Sequence, residues 1–367
     1  MKRLLFLFVA AVFAVPLVAA SAAIPEPKAA TKGAEFLFAI QDANGGYGAS
    51  SAGQALDSIF AVRSAGFDPN KDVLLGGKSP ADYLKANAAA AAKPAAAGKA
   101  ALGAKALGLD PKAVNGTNLI ANINAGLDAA TGKYAADDFS QSIAILGLAC
   151  TGNAVAPNAA SALKATQVSD GGWGFGGSSD ADTTAIVIQA LLASGTPKSD
   201  AAVTKAITYL KTSIQPDGGW GYAPVPSNAS STAFALQALI AAGEDVNIPQ
   251  YIRPGPSPVS FLLSQQNADG SFIGFDATFA TNQAVPALAG RTFCNAPETS
   301  ITQTRPVATP TPVATASPAA TATLAPRPPS TGNSEDSASS EVGPLLGAMA
   351  VALFSGVGLA AVRPRQR

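Results

Sequence analysis

Through the middle of the chain, apolar positions recur at helical spacing and stop at a glycine. Aligned on Gly66, Gly152, Gly195 and Gly243, four segments carry Ile59, Ile145, Ile188 and Leu236 seven residues earlier. Val62, Leu148, Leu191 and Leu239 stand four residues earlier. Apolar side chains at this spacing share one helix face and turn it towards a core. Five residues before the glycine come Ala61, Gly147, Ala190 and Ala238, a row of small residues that lets neighbouring helix axes approach closely. These segments are apolar nearly all round, which predicts helices buried on both sides. The helices that precede them, such as 199–214, carry lysines and are expected on the outside.

The junctions between outer and inner helices repeat as well. Gln41 to Gly48 reads Gln-Asp-Ala-Asn-Gly-Gly-Tyr-Gly, with its aromatic at Tyr47. Gln167, Asp170 and Trp173 mark a second copy, and Gln215, Asp217 and Trp220 a third. Gln266, Asp269 and Phe272 mark a fourth, which has lost one glycine, and Ala130 to Tyr134 is a degenerate version. Asp-Gly-Gly stops the first helix and supplies positive φ for a tight turn. The following aromatic is expected to pack back on the preceding helix end, where the glutamine amide meets its face. Ala81 to Asp110, broken by Pro94, supplies another helical pair, so the count reaches six hairpins. A linear solenoid would expose the apolar faces of its end units, whereas six units are enough to close a ring.

Both ends of the chain differ from this pattern. Lys2 and Arg3 precede an apolar run to about Val18 and a small-x-small site at Ala20-Ser21-Ala22, so residues 1–22 are expected to be a secretion signal. Residues 301–341 are mostly Thr, Pro, Ala and Ser, expected to form a disordered stalk. Residues 342–362 carry no charge over a length that spans a bilayer as one transmembrane helix, and the basic tail 363–367 would stay cytoplasmic. The folded part is therefore expected outside the cell. Pro328-Pro-Ser-Thr-Gly332 resembles a sortase sorting signal, with Pro328 where that family has leucine. Retention as a membrane anchor and cleavage after Thr331, with transfer to the cell wall, both remain open.

Charge and composition narrow the chemistry. With 24 basic and 24 acidic residues the chain has no basic stripe for nucleic acid. It contains no histidine, which removes Ser-His and Cys-His dyads and histidine-ligated zinc. Two cysteines cannot make a Cys-rich metal site, so no metal or cofactor is expected.

The Gln…Asp-Gly-Gly-Trp-Gly junctions resemble the QW-type repeats of the squalene cyclase and protein prenyltransferase superfamily. That resemblance implies an all-α fold, an α6/α6 toroid over roughly residues 28–296, in which the repeat residues are structural. It leaves function open, because the superfamily includes terpene cyclases, prenyltransferases and cobalamin carriers. Asp180-Ala-Asp182-Thr183-Thr184-Ala185 resembles the DxDDTA string of squalene-hopene-type cyclases, whose central aspartate protonates the substrate alkene. Asp180 and Asp182 match, and Thr183 replaces the last aspartate. The alternative is that Asp182 is an N-cap where an inner helix begins, as Ser230-Ser231-Thr232 would be in the next unit. Inner helices offer few rings to stabilise a carbocation, chiefly Phe60, Phe139, Phe234 and Phe279.

Asp57 breaks the apolar pattern. It either faces a watery cavity or pairs with a basic neighbour, and with Phe60, Gln189, Phe234 and Gln237 it would line a cavity for a mixed polar and apolar ligand. Cys150 and Cys294 invite a disulfide in an oxidising compartment, yet their units should oppose each other across the ring. They can meet only if the tail after Gly290 crosses the mouth. The leading expectation is a surface-anchored, non-catalytic toroid that binds a small ligand or a surface partner. A terpene cyclase using Asp182 as general acid, and a structural or adhesive surface protein, are the alternatives.

Overall fold

The computed structural model describes residues 24–48, 51–70, 78–222, 226–247 and 256–296. The signal, stalk, transmembrane and tail segments expected at 1–22, 301–341, 342–362 and 363–367 lie outside the described residues, as does Thr331. Among the described residues, no helix is long and apolar enough to cross a membrane.

These residues form twelve α-helices and only isolated β-bridges. The inner set is α2 (Ala52–Ser64), α4 (Pro94–Ala106), α6 (Asp138–Ala149), α8 (Ala181–Ala193), α10 (Ala229–Ala241) and α12 (Ala277–Leu288). Each packs on the next in that order, and α12 packs on α2, so the ring is closed. The outer set is α1 (Pro27–Ala39), α3 (Pro80–Asn87), α5 (Leu119–Ala125), α7 (Ala159–Lys164), α9 (Ala201–Ser213) and α11 (Pro258–Ser264). The alternation of outer and inner helices in sequence makes all six inner helices run the same way. Their N-termini therefore gather at one mouth of the ring and their C-termini at the other.

Local chemistry sets both ends of the inner helices. Side chains of Ser51, Asp137, Asp180, Asn228 and Asp276 each accept a hydrogen bond from a backbone N–H in the first turn. At the far end Gly66, Gly108, Gly152, Gly195, Gly243 and Gly290 all adopt positive φ. The residue after each glycine donates back to the carbonyl five residues before it, as in Phe67 to Val62 and Asn153 to Leu148. That six-to-one bond is the Schellman stop. Between the ends, the small-residue row allows close approach: a Cβ on Gly147 would collide with the backbone of Gly98 on the neighbouring helix.

The repeat junctions staple neighbouring hairpins together. Trp173 Nε1–H donates to the Leu163 carbonyl at 2.7 Å, and Trp220 Nε1–H to the Leu210 carbonyl at 2.9 Å, capping the outer helix just completed. Their backbone N–H groups donate to the hydroxyls of Thr184 and Thr232 on the inner helix that follows. Phe272 does the same to Thr281. Tyr134, in the degenerate copy, donates to the Gln141 side chain instead. Asp170 and Asp217 each accept from a turn N–H and from a serine hydroxyl, and Asp269 from both groups of Ser271.

The junction glutamines bond backbone carbonyls. The Gln167 amide donates to the Gly171 carbonyl and to Ala202 in the next outer helix, both at 2.8 Å. Gln266 likewise reaches Gly270 and Ala29, which joins the last hairpin to the first. Gln41 bonds the Gly45 carbonyl. The amide goes where buried carbonyls need a donor, and an aromatic face offers a weaker partner.

Candidate functional site

Helical phase identifies the face that each inner helix turns to the lumen. At 3.6 residues per turn, positions two, six and nine after the cap fall within an arc of about 60°. On α8 these are Asp182, Ile186 and Gln189, on α10 Ser230, Phe234 and Gln237, and on α6 Phe139, Ile143 and Leu146. Phe139 and Phe234 meet edge to face, with ring centroids 6.0 Å apart, although α8 stands between their helices in the ring. They can do so only by reaching across the inside of α8.

Asp182 therefore faces the lumen near the N-terminal mouth. It is not the helix cap. Asp180 has the extended backbone of a cap, accepts the Thr183 N–H at 2.7 Å and accepts the Thr183 hydroxyl at 2.9 Å. Asp182 is already two residues into the helix, so its carboxyl is free of that duty. In the next unit Asn228 is the cap, and the Ser230-Ser231-Thr232 string lies inside the helix.

The environment of Asp182 disfavours its charged form. Its Oδ1 is buried without a hydrogen-bond partner. Burial first, and then the nearby Asp180 charge, push the carboxyl up to about 7 against the opposing hydrogen bond from Ser231. Ser231 Oγ accepts from Asn228 Nδ2 at 3.1 Å, so an amide–hydroxyl relay backs the carboxylate. Asp180 is pushed up to about 6, chiefly by burial, against the bonds from Thr183. The phenols of Tyr209 and Tyr222 are raised by burial and then by negative charge, that of Asp170, Asp180 and Asp182 on Tyr209 and that of Asp180 and Asp182 on Tyr222. Asn228, Tyr209 and Tyr222 escaped the sequence reading, and Ser231 was read only as part of a capping string, because their proximity to Asp182 depends on how α8, α9 and α10 pack.

Asp57 resolves to the second of its two expected fates. It pairs with Lys99 of α4, Nζ to Oδ2 at 2.9 Å, and both lie six residues after their helix caps. Desolvation raises the Asp57 carboxyl, and the lysine charge opposes it. Phe60 stacks on Phe293, with centroids 5.2 Å apart. Gln237 Nε2 donates to the Gln283 carbonyl at 3.1 Å, while Gln189 has no partner for either amide atom. Asp57, Phe60, Gln189, Phe234 and Gln237 thus share the lumen face, but the first two are engaged by Lys99 and Phe293. Among the described residues no group of three or more His, Cys, Asp or Glu could hold a metal ion.

The C-terminal mouth is covered. Cys150, at the end of α6, and Cys294 form a disulfide with Cα atoms 4.6 Å apart. Helices α12 and α6 stand opposite in the ring, so the tail after Gly290 crosses the mouth to make this bond. Buried Phe293 is carried beneath it onto Phe60.

Residues 114–286 match the squalene-hopene cyclase C-terminal domain family. The ring has the toroid fold of the squalene cyclase and prenyltransferase superfamily. A squalene-hopene cyclase of Bradyrhizobium diazoefficiens is 36% identical over 121 residues, 29% of this chain and 18% of that protein. One from Zymomonas mobilis is 37% identical over 91 residues, 21% of this chain and 14% of that protein. The chain thus spans less than a fifth of the length of these curated relatives. Among solved structures, the toroid resembles a type II terpene cyclase, MstE from Scytonema, in complex with geranylgeranyl dihydroxybenzoate. The TM-score is 0.52 at 15% identity, covering 72% of this chain and 96% of that one. A protein from Actinoplanes gives 0.55 at 14% identity, covering 73% and 99%.

Proposed function

We propose that the toroid binds an isoprenoid polyene in its lumen and starts cyclisation by proton transfer from Asp182. The observation that carries this reading is the Asp182 carboxyl: lumen-facing, substantially protonated at neutral pH, with an unpartnered oxygen and a hydroxyl behind it. Protonating an alkene needs an acid whose conjugate base is stabilised as the proton leaves. Ser231, backed by Asn228, supplies that stabilisation where no histidine exists in the chain. The proton would add to the less substituted carbon of the terminal trisubstituted C=C bond, and the last cation would give a proton back to water. The tertiary cation left behind would be attacked by the next alkene, near the faces of Phe139 and Phe234. The similarity to squalene-hopene cyclases covers the Asp180 to Ala185 string, which supports the same assignment. The disulfide supports a folded part held in an oxidising compartment outside the cytoplasm.

The test is incubation of the purified chain with polyenes from geraniol to squalene, with products read by gas chromatography and mass spectrometry. Cyclic products are expected, with a rate at least ~100-fold lower in Asp182→Asn, the scale of general acid catalysis. Equal turnover by the variant would sink the assignment. A second reading, binding without bond-making, is favoured by one observation: Phe60 is stacked under Phe293, and Phe139 and Phe234 contact each other, leaving few ring faces for a cation. Thermal stabilisation by a polyene that is never converted would select that reading.

A further inference from the structure

Among the described residues, every large apolar side chain that stands exposed lies at one mouth of the ring. Phe175 is 65% exposed, Ile273 54% and Phe275 94%. Phe175 lies between Trp173 and the α8 cap Asp180, while Ile273 and Phe275 lie between Phe272 and the α12 cap Asp276. All three therefore belong to the N-terminal mouth, where Asp182 also stands. Tyr222, half-buried, holds the place of Phe175 in the unit between, two residues after its tryptophan. The loops that carry these side chains are pinned at their bases. Asp180 N–H donates to the Trp173 carbonyl and Ile273 N–H to the Gln265 carbonyl, both at 2.9 Å. Beyond that base the Phe175 loop stands clear of its neighbours, since a Cβ on Gly176 or Gly177 would meet nothing within 4 Å. The described residues of the opposite mouth, covered by the Cys294 tail, include no such side chain.

We infer that the N-terminal mouth docks on a lipid bilayer, with Phe175, Ile273 and Phe275 inserted at the boundary of head groups and acyl chains. Apolar tips gain by leaving water, and these lose little packing when they do, because they are already turned away from the protein. Their exposed area is about 400 Å², at roughly 150–250 Å² for each large side chain. A lasting protein interface takes about 800 Å² from each partner, twice what these tips offer, whereas a bilayer needs no matching shape. Charge selects the lipid. The turn aspartates Asp170, Asp217 and Asp269 stand at this mouth, so it has no pull towards an anionic surface, and the lipid is zwitterionic. The chain itself brings a bilayer within reach. Residues 342–362, uncharged over a length that spans a bilayer, are separated from Ala296 by 45 residues. A coil of that length spans roughly 35–40 Å. The inner helices are about 20 Å long, so the mouth remote from the tail can turn to the same membrane. The inference does not rest on Asp182 as acid, although the contact would set that mouth against the phase in which a polyene dissolves.

The experiment reads insertion of the rim, so that attachment through the tail cannot imitate it. Phe175→Cys, Phe275→Cys and, after α4 at the opposite mouth, Lys112→Cys are each made in the full chain and labelled with an environment-sensitive fluorophore. Both native cysteines are closed in the disulfide and take no label. The probe is vesicles of phosphatidylcholine brominated in the acyl chains. Both rim labels should shift to the blue and lose at least about half of their emission to bromine, as a group about 5–10 Å below the surface would. The Lys112 label should keep its colour and emission, and high salt should leave the rim signals unchanged. Ile273→Ser with Phe275→Ser should weaken the quenching of the Phe175 label at least ~2-fold without moving Tm. Equal quenching of all three labels, or none at the rim, would overturn the inference. A blue shift that grows with protein concentration and needs no vesicles would overturn it too, by placing a second copy on the rim. Rim quenching without cyclic products would sink only the cyclase reading; cyclic products without rim quenching would sink only this one.

Discussion

Asp182→Asn should make the protein more stable, and increasingly so as the pH rises. Asparagine keeps the shape of a neutral carboxyl group and cannot ionise. In the folded chain the Asp182 carboxyl is held up to about 7, from an ordinary value of 3.8. A raised carboxyl favours folding fully below its unfolded value, loses that contribution as pH climbs, and has lost it once pH passes the folded value. A shift of about 3 units at 1.36 kcal/mol each gives about 4 kcal/mol across the window from pH 3.8 to 7. Asp180, held up to about 6, titrates in the same window and shares the interaction, so about 2–4 kcal/mol belongs to Asp182. Urea unfolding followed by circular dichroism at half-unit steps from pH 4 to 8 measures the difference. Asp57 and Asp138 are also raised by burial, but their slopes appear in both proteins and cancel on subtraction. The variant curve should diverge upwards from the parent and level off above pH 7. Parallel curves would refute the buried, proton-holding carboxyl, and with it the proton donor.

Gly171→Ala should cost about 1–3 kcal/mol, since φ there is +94° and a Cβ would lie 2.8 Å from the Lys205 carbonyl oxygen. Gly152→Ala, with φ +74° but open space around it, should cost about 1 kcal/mol, and chemical denaturation that ranked the two the other way would contradict the staple. Replacing Cys150 and Cys294 together by serine opens a link between residues 144 apart and should cost up to about 5 kcal/mol in the chain-entropy model. Limited proteolysis of that double variant should cut first in the tail after Gly290; unchanged protection there would show that Phe293 holds the mouth shut without the bond.

Most of the fold was legible because it is written in local terms. Closing glycines at a constant distance after apolar rows mark helix stops, since only glycine takes their positive φ without penalty. The row of Ala61, Gly147, Ala190 and Ala238 announced close-packed inner helices, and Gly147 against Gly98 shows that approach. The repeat count implied closure, because an open arc would expose two apolar faces. The glutamines' long-range partners, Ala202 and Ala29, were not legible because they belong to other hairpins.

The candidate site divides in the same way. The string from Asp180 to Ala185 drew attention to two carboxylates, but which one caps the helix depends on backbone angles that the string does not carry. Ser231 behind Asp182 and Lys99 beside Asp57 are contacts between successive hairpins, and Phe293 on Phe60 joins the two ends of the ring. Helix limits, turn chemistry and the ring itself follow from the sequence alone, because short-range sterics and periodicity decide them. The raised carboxyl of Asp182 and the closed C-terminal mouth follow only from tertiary structure, because desolvation and long-range bonding exist only once the ring has closed.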